Sequence, residues 1–171
     1  TRKESSAASD VYKRQIIYFL SHWNVKDLLK ISYEKIMHYC LIYNLNSSSG
    51  KKVKLVNKIY EKLKINNTVD FFKTKSEEEA KKIFLEFKNK NYDRLIVAGG
   101  DGSVSFAINE LIKNDFDFNE NFAIGYIPAG TANLLQAELS ITKKVNDVCS
   151  VLTSSNYKPV SYTHLTLPTT P

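Results

Sequence analysis

Residues Arg94–Ser103, RLIVAGGDGS, decide the fold. The first five are a continuous apolar run with a single charge at its start. Such a run suits a strand of a parallel sheet covered on both faces. Three glycines follow within four positions, at Gly99, Gly100 and Gly102, and then an apolar stretch at helical spacing from Val104 to Ile112. Strand, glycine-rich turn and helix in that order form one half of a βαβ unit.

Working outward, the same alternation recurs on both sides. His38–Asn44 (HYCLIYN) is a short, aromatic-rich strand, and residues 46–50 (NSSSG) form a loop. A helix is expected over Lys52–Lys64, with Val53, Val56, Ile59, Tyr60 and Leu63 on one face. Thr68–Phe72 is the second strand. Ser76 caps the next helix, whose Glu77, Glu78 and Glu79 suit the positive end of the helix dipole; that helix buries Ala80, Ile83, Phe84 and Phe87. After the central segment come a strand at Phe122–Ile127 and a helix at Thr131–Leu139. A last helix is marked by Val145, Val148, Cys149 and Leu152. The expected architecture is α/β: an open, mostly parallel sheet with helices on both faces and right-handed crossovers.

Composition narrows the function classes. The chain has 171 residues, 43% hydrophobic and 25% charged, which excludes wholesale disorder and a collagenous or disulfide scaffold. Its apolar runs reach only about five residues, against roughly 20 for a membrane-spanning helix. Cys40 and Cys149 lie far apart without a CxxC spacing and read as reduced, buried thiols. His22, His38 and His164 have no zinc-ligand spacing. The net charge of +6 is spread along mixed-sign helix faces, so no nucleic-acid partner is expected.

The ends differ from the middle. Residues 1–15, TRKESSAASDVYKRQ, have no apolar periodicity, and residues 161–171, SYTHLTLPTTP, are rich in threonine and proline. Both resemble translated adapter sequence and are set aside from fold reasoning. Residues 16–36 read as an extension or as upstream sequence in frame. Met37, the single methionine, stands directly before the first strand and is taken as the start of the domain.

Five of the six glycines fall in three segments: Gly50; Gly99, Gly100 and Gly102; and Gly130. Each lies between a strand and a helix. In an open parallel sheet such turns gather at one edge, where ligands bind. Glycine lets a ligand approach the backbone, and the helix behind it offers unpaired N–H groups, so three such turns make a cradle for phosphates. Asp101 is out of place in such a cradle, because a carboxylate repels phosphate. It makes sense beside a Mg²⁺, facing a hydroxyll whose proton must leave, or as a helix cap. Ser103 serves either as a phosphate donor or as a cap. Thr131 stands at the expected helix start, where its hydroxyl and amide both meet a phosphate or simply cap the helix, and Asn133 projects from the first turn.

VAGGDGS at residues 97–103, followed by PAGTANLLQAEL at 128–139, resembles the diacylglycerol kinase catalytic domain family. The resemblance runs from about Met37 to Val160. GGDG alone is shared with NAD kinases and 6-phosphofructokinases; the pairing with PxGTxN points to the lipid kinases. The family's NPxSG loop corresponds to residues 46–50, with serine in place of proline, so Asn46, Ser49 and Gly50 are implied nucleotide contacts. The family's nucleotide-contacting threonine, six residues before an alanine, corresponds to Thr74 with Ala80. Its GGDGT loop maps to Gly99, Gly100, Asp101, Gly102 and Ser103, and its following Asn-Glu to Ser105 and Phe106. Gly130, Thr131 and Asn133 match GTxN; the aspartate that often follows is Leu134 here.

The resemblance implies ATP and Mg²⁺ as cofactors and a diacylglycerol-like lipid alcohol as acceptor. Asp101 is the implied catalytic residue. It also implies that residues 37–160 are the ATP-binding domain, cut short before a second, β-rich domain, so that this piece alone lacks activity. A cytoplasmic protein meeting the inner face of the membrane is expected, because the acceptor is insoluble in water. The competing readings are an NAD kinase or phosphofructokinase relative, and a non-catalytic nucleotide-binding module. The sequence assigns neither the lipid nor an oligomeric state.

Overall fold

A parallel sheet needs strands that are apolar on both sides, and the sequence supplies them at β1 (His38–Asn44) and β3 (Arg94–Gly99). Along β1, Tyr39, Leu41 and Tyr43 point to one face of the sheet and Cys40 and Ile42 to the other, and all five are buried. The computed structural model describes residues 36–47, 51–119, 121–131, 133–142 and 144–154. The expectations for both chain ends, and for Ser49 and Gly50, lie outside the described residues.

Between the strands run α1 (Val53–Leu63), β2 (Thr68–Thr74), α2 (Glu77–Phe87), α3 (Asp101–Lys113), β4 (Ala123–Pro128), α4 (Leu134–Glu138) and α5 (Val145–Thr153). The strands pair in the order β2-β1-β3-β4, all parallel. The expected α/β class and the open parallel sheet are thus observed. Val56, Ile59 and Leu63 of α1 and Val148, Cys149 and Leu152 of α5 pack on the Tyr39–Leu41–Tyr43 face. Ala80, Phe84 and Phe87 of α2 and Val104, Ala107 and Leu111 of α3 cover the opposite face. The expected cap of α2 is also present: the Ser76 hydroxyl accepts from the Glu79 amide at 3.2 Å.

Two helix starts differ from expectation by three residues, for local reasons. Helix α3 begins at Asp101 rather than Val104, because Gly100 is extended (φ −90°, ψ −179°) and the turn is complete before the glycines end. Helix α4 begins at Leu134 rather than Thr131. Asn133 is non-helical (φ −130°, ψ 74°) and its side chain closes a turn on Gly130, which keeps Gly130, Thr131 and Asn133 out of the helix.

Polar contacts brace the edge of the sheet remote from the glycine turns. Asp70 accepts from the Tyr92 hydroxyl at 2.7 Å and lies 3.1 Å from the His38 ring nitrogen. The buried Arg94 guanidinium donates to the carbonyls of Leu152 and Ser154, which ties the end of α5 to β3.

Tyr39, Tyr43, Tyr92 and Tyr126 are buried, and burial pushes each phenol above its ordinary value; for Tyr92 the bond to Asp70 adds to the shift. Below about pH 10 these phenols are protonated in the folded and unfolded chain alike. Above it the unfolded chain releases protons that the folded chain retains, so stability falls as pH rises. The expected result is a melting temperature that drops steeply above about pH 10, and less steeply in Tyr92→Phe; a flat profile would show that these phenols ionise freely in the folded chain.

Candidate functional site

Strand β1 lies between β2 and β3, so the chain leaves β1 on one side of the sheet and β3 on the other. A crevice opens at such a switch point, beyond the carboxyl ends of the strands. The turns after β1, β3 and β4 meet there.

Three contacts lock the turns together. Asn44, at the end of β1, donates from Nδ2 to the Ser103 hydroxyl at 3.3 Å. The Ala129 amide donates to the Gly99 carbonyl at 2.8 Å, which continues the β3–β4 ladder by one bond. Gly130 sits directly on Gly100: a Cβ at 130 would meet the Gly100 Cα, lie 2.8 Å from the Gly100 nitrogen and 2.9 Å from Asn133 Oδ1. Here glycine is required by the close approach of two backbones. Gly99 is similarly confined, with the Ser103 side chain where its Cβ would be.

A cleft of about 630 Å³ opens on the α2–α3 side of the sheet. It is lined by Asn46, Ser47, Thr74, Gly100, Gly102, Ser103, Gly130 and Thr131, with Ala80, Phe84 and Phe106 as apolar wall. A volume of this size suits a small-molecule ligand. A second cleft of about 390 Å³ opens on the α1–α5 side, with Lys51, Lys52, Thr131, Asn133, Gln136 and Thr142 over a floor of Leu55, Ile59 and Ile127. Gly130 and Thr131 border both.

The structure brings Asn46, Thr74, Gly100, Gly102, Ser103, Gly130 and Thr131 to the larger cleft. Asn46 is held by its Nδ2, which donates to the Lys75 carbonyl at 2.6 Å. Thr74 is buried, its hydroxyl 3.5 Å from the Tyr43 carbonyl. Asn133 borders the smaller cleft instead, and its amide is used within the turn: Oδ1 accepts from the Gly130 amide at 3.0 Å and Nδ2 donates to the Gly130 carbonyl at 2.9 Å. Ser105 is buried in α3 and lines neither cleft; with the helix starting at Asp101, Gly102, Phe106 and Asn109 form the cleft-facing stripe and Ser105 lies outside it.

Asp101 also lies outside both linings. Its Oδ2 accepts from the Leu134 amide at 2.8 Å, and its Oδ1 from the Leu135 amide and the Tyr126 hydroxyl, both at 3.3 Å. The carboxylate therefore caps α4, a helix over 30 residues away in sequence, rather than its own. The amides at the start of α4 offset its charge. Burial, then the Asp101 charge and hydrogen bond, push the Tyr126 phenol up, which keeps it protonated; its one proton is shared between Asn133 Oδ1 at 2.9 Å and Asp101 Oδ1 at 3.3 Å. A carboxylate has about four lone-pair sites; three have donors, and the open one is on Oδ2.

This changes the expected cradle. The Gly130 amide is occupied by Asn133, and the first amides of α4 by Asp101. Among the described residues no three His, Cys, Asp or Glu side chains are grouped to hold a metal. With Asp101 facing amides and a phenol, these residues do not form a Mg²⁺ cage. Sequence reasoning missed Asn44 and Tyr126. Each reads as an ordinary strand residue, and only the pairing of β1 and β4 with β3 brings them to the GGDGS turn.

A family model for the diacylglycerol kinase catalytic domain matches residues 38–165. The chain belongs to the diacylglycerol kinase catalytic domain family. Among solved structures it is similar to a diacylglycerol kinase from Bacillus anthracis str. Sterne, at 27% identity and a TM-score of 0.59, over 75% of this chain and 43% of that one. Two further structures, from the same organism and provisionally named diacylglycerol kinase, match at 28% and 27% identity with TM-scores of 0.59 and 0.60. They cover 74% and 75% of this chain and 44% and 46% of theirs. The chain thus spans less than half the length of these relatives. No curated protein matches it significantly.

For a member of this kinase family, Gly102 offers a clean probe of the cleft. A Cβ there meets nothing within 4 Å, and Gly102 is in the first turn of α3. Gly102→Ala is expected to raise stability, by at most about 1 kcal/mol from helix propensity, while weakening nucleotide binding. Thermal melts and calorimetry check both; unchanged ATP affinity would show that no ligand approaches that backbone.

Proposed function

We propose that this chain is the ATP-binding part of a kinase that transfers a phosphoryl group to a lipid hydroxyl, with a diacylglycerol-like acceptor. The observation that carries the reading is the interlock of the GGDGS and PAGTAN turns at the switch point of a parallel sheet, beside a cleft of nucleotide size. Asn46, Thr74, Gly100, Gly102, Ser103 and Thr131 are the proposed nucleotide contacts. Ser49 and Gly50 belong to the same proposal from sequence alone, and Gly99 and Asn133 hold the turns in shape.

Asp101 is the proposed general base. Its open lone-pair site on Oδ2 is available to the acceptor hydroxyl, and the two amides and the Tyr126 phenol fix its orientation. Mg²⁺ on this reading travels with the phosphates of ATP rather than in a cage of side chains, as is common for that ion. Residues 37–160 form the nucleotide-binding domain of this proposal, with a β-rich domain completing the cleft in a family-length protein. Phosphoryl transfer relies on positioning and charge neutralisation, so this chain alone is expected to bind ATP without turning it over. Among the described residues no helix is long and apolar enough to cross a membrane, and a peripheral encounter with the membrane holding the acceptor is part of the proposal.

Calorimetry with ATP on this chain, together with turnover of diacylglycerol, NAD and fructose 6-phosphate by a family-length version, tests it. ATP binding with turnover of the lipid alone is the expected result. Turnover of NAD or the sugar phosphate would move the chain to another kinase class, and binding without any turnover would mark a nucleotide sensor.

A further inference from the structure

We infer that Glu77, at the rim of the larger cleft, reads the sugar of the nucleotide: its carboxylate accepts from the neighbouring ribose hydroxyls, so the site selects ribonucleotides over deoxyribonucleotides. The inference rests on the nucleotide-binding reading above and adds a residue that reading does not use.

The three glutamates at the start of α2 look alike in sequence, and all suit the helix dipole. The structure separates them. Glu79 folds back to accept from the Lys75 amide at 2.7 Å, while its own amide donates to the Ser76 hydroxyl at 3.2 Å, so it belongs to the cap. Its own backbone amide, then the Ser76 hydroxyl, hold the Glu78 carboxyl below its ordinary value. Glu77 alone of the three lines the cleft, and it is the one formal charge in the described lining. Among the described residues its carboxylate has neither an ion pair nor a hydrogen bond. No group of three His, Cys, Asp or Glu side chains stands with it to hold a cation.

A carboxylate accepts hydrogen bonds and cannot donate them, and it repels phosphate. The anionic end of the ligand therefore lies away from Glu77, toward the start of α3, whose first amides border the same cleft without a side-chain cap. Sheet geometry sets the span. Strands β2 and β3 flank β1, and the three end level, with Asn44 beside Thr74 and Tyr43 beside Ala98. Two strand spacings of about 4.8 Å put the starts of α2 and α3 roughly 10 Å apart, within the length of one nucleoside triphosphate. Glu77, Ala80 and Phe84 form one stripe of α2 on the cleft, so the carboxylate stands at the rim beside an apolar seat for the base. With the phosphates at α3 and the base on Ala80, Phe84 and Phe106, the ribose is the part that reaches Glu77. Its two adjacent hydroxyls are donors that match the two carboxylate oxygens. A carboxylate placed after the second strand meets ribose in this way in other open α/β sites.

The test is calorimetry on the whole chain with ATP, 2′-deoxy-ATP, 3′-deoxy-ATP and tripolyphosphate. Three proteins are compared: the native chain, Glu77→Gln and Glu78→Gln. The last removes the same charge from the same turn of α2 but outside the cleft. Circular dichroism and melting confirm that all three fold. The native chain is expected to bind ATP about tenfold more tightly than either deoxy form, the low end for a bond to a charged group, because Glu77 is exposed. In Glu77→Gln that ratio should fall toward one, while tripolyphosphate binds at least as tightly as before, since a repelling charge is gone. The ratio is the readout, because a change of charge alone shifts ATP and its deoxy forms together. Glu78→Gln should keep the full ratio. Equal binding of ATP and both deoxy forms by the native chain would overturn the inference and leave the nucleotide reading standing. An undiminished ratio in Glu77→Gln, or an equal loss in Glu78→Gln, would do the same. No binding of any of these nucleotides would overturn both.

Discussion

Gly130→Ala is expected to cost about 1–3 kcal/mol of stability and to abolish nucleotide binding. The added methyl would be driven into the Gly100 Cα and nitrogen, which are main-chain atoms at the junction of β3 and α3 and have no rotamer to escape into. The two turns must separate, and with them the Ala129–Gly99 hydrogen bond at 2.8 Å. Both clefts lose their shared border. For a chain of this length the loss corresponds to a fall in melting temperature of about 2–4 °C per kcal/mol. The contrast with Gly102→Ala is informative, because the same methyl added two residues beyond Gly100 meets open space. Equal melting temperatures for Gly130→Ala and the native chain would show that the turns are not in contact.

Asp101 variants separate a cap from a catalyst. Asp101→Ala removes the acceptor for the Leu134 and Leu135 amides, while the Tyr126 hydroxyl keeps Asn133 Oδ1, and is expected to cost about 1–3 kcal/mol. Asp101→Asn keeps one acceptor oxygen and should cost less in stability, with the larger part of the fold contact preserved. In a family-length kinase, Asp101→Asn is expected to eliminate turnover while ATP still binds, because an amide cannot take a proton from the acceptor. Native turnover in Asp101→Asn would reduce the carboxylate to its role at the start of α4. Melting curves on this chain and rates on the longer protein read the two roles independently.

Much of the fold was legible because its strands carry their own instructions. LIVA at 95–98 is apolar at consecutive positions, which fits burial from both sides, and the helical stripes of α1 and α2 appear at the expected spacing. The site was legible as three glycine-bearing turns, since parallel strands force their following turns to one edge. Local spacing misjudged α4. Thr131 stood at the expected helix start, but Asn133 closes its turn on Gly130, and that preference shows only when both backbone and side chain are in place. Ser105, which stands where the family has asparagine, turns into α3's buried side.

The sequence by itself determined the element types, the parallel sheet and the position of the glycine turns, because each depends on residues close together in the chain. Only the tertiary structure decided what Asp101 faces, which amides are already occupied, and that Lys51 and Lys52 lie across a ridge from the larger cleft. The Asp101 contacts and the placement of Lys51 and Lys52 depend on groups some 30 to 80 positions apart. Their proximity comes from the order β2-β1-β3-β4, and no local propensity encodes it.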